Sequence, residues 1–232
     1  MSGSLRRALV LGGSGAVGSA VVRELAGRGV EVAYTYWSRE ASLPGAGHRI
    51  DLSEPADVRA LVARLLASGF SPDLLVHCAV HSAAKKLGEL SDAEYERAFA
   101  VNVRAPFLAV QALAPAFAAH SSSDVVLVGA LDRTQALPLP AHFAATQGAL
   151  SGLVVGLSKE LGAQRTRVNL LALGPLSTGL SASLPKRLLE DYQKFSALQR
   201  LGTVEEAART IAWLGLENTY VTGKVIPVNG GI

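Results

Sequence analysis

The sequence predicts an α/β fold: a Rossmann-like, doubly wound parallel sheet of about seven strands with helices on both faces. Three observations predict it. Short apolar runs alternate with amphipathic stretches along all 232 residues, the rhythm of strands joined by crossover helices. The first apolar run, Ala8-Leu9-Val10-Leu11, leads straight into Gly12-Gly13-Ser14-Gly15-Ala16-Val17-Gly18, and a helical pattern follows. A glycine loop between a buried strand and a helix is a phosphate cradle, because the backbone can approach a diphosphate and the helix start offers unpaired N–H groups. No repeat, linker or composition break divides the chain, so 1–232 reads as one domain.

The elements follow in order. Residues 5–11 read as a strand buried on both faces. Residues 19–27 place Ala20, Val21, Val22, Leu25 and Ala26 at helical spacing, stopped by Gly27 and Gly29. Residues 30–36 are a second strand, whose end would meet an adenosine ribose. An acidic residue there, ~20 positions past the glycines, would select NAD. The chain has Trp37-Ser38-Arg39 instead, and Ser38 with Arg39 favours a 2′-phosphate and thus NADP(H). Residues 42–47 read as a loop and 48–52 as a short third strand. Pro55 starts a helix over 56–68, and 74–77 form the fourth strand. Ser91 or Asp92 caps a helix that runs to about residue 101. Asn102 interrupts an apolar surface before the nearly all-apolar helix 105–119, which should be buried on several sides, in the core or against another subunit. Strands at 124–129, 168–173 and 221–228 and helices at 142–161 and 204–214 complete the pattern, with a loop and helix region at 176–200.

Composition limits the function. Hydrophobic residues are 49% and charged residues 18% of the chain, which supports a large core and excludes disorder. Net charge is +3 with no basic block, so nucleic acid is not an expected partner. One cysteine gives no disulfide framework, and no metal-ligand spacing is present. The chain enters its first strand at once, leaving no room for a leader, and no apolar run reaches the ~18 residues of a membrane span. A cytoplasmic protein is expected.

The order of motifs resembles the short-chain dehydrogenase/reductase family, in particular its classical 3-oxoacyl-carrier-protein-reductase-like members. The resemblance rests on the glycine loop, Asp51-Leu52, Asn102-Val103-Arg104-Ala105-Pro106-Phe107, Val168-Asn169, Gly174-Pro175 with Thr178, and the stretches 200–208 and 220–231. It implies cofactor contacts from Gly12, Ser14, Gly15, Ala16, Val17, Gly18, Asp51, Leu52, Ala79, Gly174, Pro175 and Thr178. It also implies oligomers built through the helices 105–119 and 142–161.

The departures concern chemistry. The family's Tyr-x-x-x-Lys is here Phe143-Ala144-Ala145-Thr146-Gln147, and the serine position is Ala130. In the family the tyrosine moves the proton, the lysine lowers its pKa and holds the nicotinamide ribose, and the serine steadies the oxyanion. The family's Asn-Asn-Ala-Gly is His77-Cys78-Ala79-Val80, and Leu11 and Ala16 replace a threonine and a glycine of the classical loop. Asp132, His142 and His81 are candidate substitute proton donors, with Lys85 and Lys86 on the same loop as His81. Cys78 reads as a packing residue. The leading expectation is the non-catalytic subunit of a hetero-oligomeric NADP-dependent ketoreductase or β-hydroxyacyl dehydrogenase, paired with an active paralogue. Such pairs occur in the family, including on carrier-bound intermediates of antibiotic pathways. The alternatives are an active ketoreductase with another, or a substrate-supplied, proton donor, and an NADP-sensing regulator.

Overall fold

The computed structural model describes residues 5–83, 85–130 and 139–232. Seven strands form one parallel sheet: β1 (Arg7–Leu11), β2 (Glu31–Tyr36), β3 (Ala46–Arg49), β4 (Leu74–His77), β5 (Ser123–Gly129), β6 (Thr166–Leu173) and β7 (Lys224–Val228). Their spatial order is β3-β2-β1-β4-β5-β6-β7. The order reverses between β1 and β4, and in an open parallel sheet the crevice at that reversal takes the ligand. Leu9 pairs with Ala33 on one side and with Leu75 on the other, so β1 is central and its glycine loop opens onto the crevice.

Helices cover both faces. Against one lie α1 (Ala16–Gly27) and α7 (Val204–Leu216); against the other lie α2 (Pro55–Ala67), α4 (Ala105–Ala119) and α5 (Ala141–Leu161). α3 (Asp92–Phe99) precedes α4, and α6 (Lys186–Phe195) lies in the region between β6 and α7. Alternate residues of each strand supply the two cores: Leu9, Leu75 and Val125 face α4 and α5, while Val10, Val76 and Val126 face α1 and α7.

Several expected bounds shift. β1 begins at Arg7 and β7 at Lys224. α1 starts three residues early because Gly15 already serves as its N-cap. The third strand is Ala46–Arg49 and not 48–52. Its pairing with β2 ends at Tyr36 opposite Arg49, so Asp51 and Leu52 sit past the strand, on the turn into α2. The break expected at Asn102 is bridged by a π-turn, Ala100–Arg104. α3, this turn and α4 therefore run as one 28-residue helix, Asp92–Ala119, long and apolar enough by composition to cross a membrane. Its apolar run, 105–119, stays shorter than a span, and Asn102, Arg104 and Gln111 interrupt the longer helix. Just over half of its most apolar window is buried in the fold.

Within this chain α4 buries one side. Leu108, Ala109, Leu113 and Phe117 pack into the core, while Phe107, Gln111 and Pro115 face outward. α5 likewise buries Phe143, Leu150, Val154 and Leu161 and leaves Ala145, Gly148, Gly152, Val155 and Gly156 open.

Candidate functional site

A cleft of about 380 Å³ opens at the carboxyl ends of β1, β2, β4, β5 and β6. Its floor is the glycine loop. Gly12 has φ +79°, a left-handed conformation, and a Cβ there would collide with the Ala79 backbone. A Cβ on Gly18 would drive into the Gly12 carbonyl, so Gly18 is what lets α1 pack down on the loop. The Gly12 amide donates to Thr35 Oγ1 at 2.8 Å, and the Gly15 amide to the Gly12 carbonyl at 3.1 Å. α1 has no side-chain cap at Gly15, which leaves the N–H groups of its first turn for an anion. This cradle fits a dinucleotide diphosphate.

Of the predicted cofactor residues, Gly12, Ser14, Gly15, Ala16, Val17, Asp51, Leu52, Ala79, Gly174 and Thr178 line the cleft. Gly18 sits behind the loop as a packing glycine. Pro175, Ser38 and Arg39 do not line it, and Ser38 and Arg39 are exposed. The reason is local: the chain leaves β2 at Tyr36, and Trp37 is the residue that turns to the cleft. Thr35, Trp37 and Arg97 line the cleft as well, beyond the residues the sequence points to. A threonine buried near the end of a central strand was a readable signal for the first.

Asp51 is fixed at its turn. Its Oδ1 accepts from the Ser53 amide at 2.8 Å and the Ser53 hydroxyl at 2.7 Å, while Oδ2 lies 3.5 Å from Arg97 Nη2. Burial works against the charge, yet the Ser53 hydrogen bonds and the Arg97 guanidinium hold the carboxyl below its ordinary value.

Ala130, Phe143 and Gln147 converge on the cleft, as their spacing predicts. The end of β5 brings in Ala130, and α5 brings in the other two. Phe143 is buried at 2% exposure. Gln147 Oε1 accepts from the Ala130 amide at 2.9 Å, and its Nε2 donates to Thr146 Oγ1 at 3.2 Å. Thr146 Oγ1 donates to the Phe143 carbonyl at 2.7 Å and accepts from Asn102 Nδ2 at 3.1 Å. Asn102 also holds His81 by both backbone groups, at 2.7 and 2.9 Å. A neutral chain of hydrogen bonds thus joins β5, α5, the π-turn and the loop after β4. Thr146→Val removes its centre and is expected to cost about 1–3 kcal/mol, read as a lower denaturant midpoint. An unchanged midpoint would show that the hydroxyl carries no weight.

The candidate substitute donors fare differently. His81 lines the cleft, and its buried Nε2 has no partner among the described residues. Burial, with Arg97 and His142 nearby, holds its pKa below the ordinary value, so its ring is neutral at pH 7. His142 is buried and does not line the cleft. Asp132 lies outside the described residues. Lys85 is paired with Glu94 at 2.8 Å, Lys86 starts a short turn over Leu87–Glu89, and neither lines the cleft. Burial pushes the Cys78 thiol up to about 12, which suits a packing residue at the cleft wall.

Four comparisons bear on this site. A family model described as enoyl-(acyl carrier protein) reductase matches residues 13–232. The 3-oxoacyl-[acyl-carrier-protein] reductase MabA of Mycobacterium tuberculosis is 25% identical over 98% of this chain and 92% of its own. A blue fluorescent protein from a metagenomic library, solved with NADPH, superposes with a TM-score of 0.87 at 30% identity, covering 97% of both chains. A short-chain dehydrogenase of Burkholderia cenocepacia, solved with NADP, gives 0.87 at 27% identity over the same 97% of each.

Proposed function

The chain belongs to the short-chain dehydrogenase/reductase family, and from that premise we propose that it holds NADP(H) without performing the family's hydride transfer. Its role is that of the non-catalytic subunit in a hetero-oligomeric ketoreductase or β-hydroxyacyl dehydrogenase acting on carrier-bound substrates. One observation carries the reading: Gln147 spends its amide on the Ala130 backbone and Thr146, in a place where the reaction needs a lysine, a tyrosine and a serine. A bound nicotinamide supplies hydride to a carbonyl carbon; the carbonyl oxygen must then receive a proton. Phe143 has none to give, Ala130 offers no hydroxyl, and Gln147 carries no charge to tune a donor.

The cofactor half of the proposal rests on the glycine cradle, the first turn of α1 and the fixed Asp51, all of which fit a dinucleotide. NADP(H) is favoured by relatives solved with NADPH and with NADP. The partner half rests on the open apolar faces of α4 and α5, where Phe107, Gly148, Gly152 and Val155 offer a flat surface for another subunit.

Two measurements test it. Calorimetry with NADPH should give saturable binding, while a 3-oxoacyl thioester should remain unreduced by the purified chain. Co-expression with an intact reductase of the same family should give a mixed oligomer, and recovery of separate species would refute the subunit role. A second reading, an active enzyme with another donor, is favoured by the unpartnered Nε2 of His81 in the cleft. It requires that the lone chain reduce the thioester and that His81→Ala abolish the reaction.

A further inference from the structure

Trp37 lines the cleft yet keeps 52% of its surface exposed. Its carbonyl accepts from Arg49 Nε at 3.2 Å. Arg97, from α3, reaches it across the adenosine end of the cleft. The guanidinium carbon lies 5.7 Å from the centroid of an indole ring, and Nη2 lies 3.5 Å from Asp51 Oδ2. Both contacts are at the long limit of their kind, so the guanidinium can slide without breaking a strong bond. Arg39, the cation that the sequence points to, is exposed and outside the cleft lining.

We propose that Trp37 and Arg97 form a stacking bracket for the adenine ring of the dinucleotide. The proposal rests on the cofactor reading above and deepens it. An indole on one side and a planar guanidinium on the other present two flat faces that suit a purine, and stacking asks for a π-face and not for a base-specific hydrogen bond. The base displaces Arg97 from the indole and takes its place between them. The bracket reads the base and is indifferent to the reacting ring, so adenine nucleotides lacking nicotinamide bind at the same place.

Trp37 makes this testable, since the chain has only one other tryptophan, Trp213, on α7. In a Trp213→Phe chain, ADP should quench the emission of Trp37 saturably. Trp37→Ala and Arg97→Ala should each weaken NADPH binding about tenfold by calorimetry, and Arg97→Lys should not restore it, because an ammonium does not stack. If the native chain binds NADPH and either alanine variant retains native affinity, or if ADP leaves the emission unchanged, the bracket is wrong while the cofactor reading stands. If the native chain binds no NADPH, the cofactor reading fails and the bracket with it.

Discussion

A chain carrying Ala130→Ser, Phe143→Tyr and Gln147→Lys together is expected to reduce a 3-oxoacyl thioester with NADPH at least ~10³-fold faster than the native chain. A positioned acid/base contributes ~10²–10⁴ and an oxyanion donor ~10²–10³, and the three groups act as a unit. Single replacements should therefore yield little, since a tyrosine without its lysine is poorly tuned and a lysine without its tyrosine has nothing to tune. Geometry favours the experiment. All three positions line the same cleft, so hydroxyls at 143 and 130 would open onto it together. The cost is the loss of the Gln147 bond to the Ala130 amide, for which a lysine offers no acceptor. A folded triple variant that binds NADPH and reacts no faster than the native chain would show that the positions are out of register.

Much of this was legible in the chain. The glycine loop can be read because its residues are set by sterics that no distant contact can relax: Gly12 needs a positive φ, and Gly18 must clear the Gly12 carbonyl. The convergence of Ala130, Phe143 and Gln147 can be read because one helix spacing and one strand end fix it. The third strand differs from its expected place because Arg49-Ile50-Asp51-Leu52 alternates like a strand, while pairing with β2 stops at Arg49. The sequence points to Arg39 by position alone, while the direction of the chain after Tyr36 sets where its side chain lies. Trp37 and Arg97 belong to elements far apart in the chain, and only the fold puts a guanidinium over that indole. The inward use of Gln147 depends on where the β5 backbone ends, which no residue pattern states.

Acidification from pH 7 to pH 4.5 is expected to cost the native chain more stability than it costs a His77→Leu chain, the difference being the protonation of His77. His77 ends β4 between Leu11 and Leu127, fully buried, and neither ring nitrogen has a partner among the described residues. Burial pushes its pKa down to about 4. Its folded value is thus below the ~6.5 of an unfolded histidine. Above pH 6.5 both states are neutral and the group contributes no slope. Between 6.5 and 4 the unfolded chain takes up a proton that the folded chain refuses, so stability falls as pH falls, by about 3 kcal/mol over the whole window. Asp124 acts in the opposite sense. Desolvation raises its carboxyl to about 6 against the pull of Arg167 and Arg6, so the folded chain binds that proton first as the pH drops. Both chains contain Asp124, and the difference between them isolates the imidazole. At pH 7 the leucine should be neutral or stabilising, since it removes a buried polar ring without a partner. Denaturant midpoints of the two chains at pH 7 and pH 4.5 decide the matter: parallel losses would mean that His77 is not the group whose protonation opens the core.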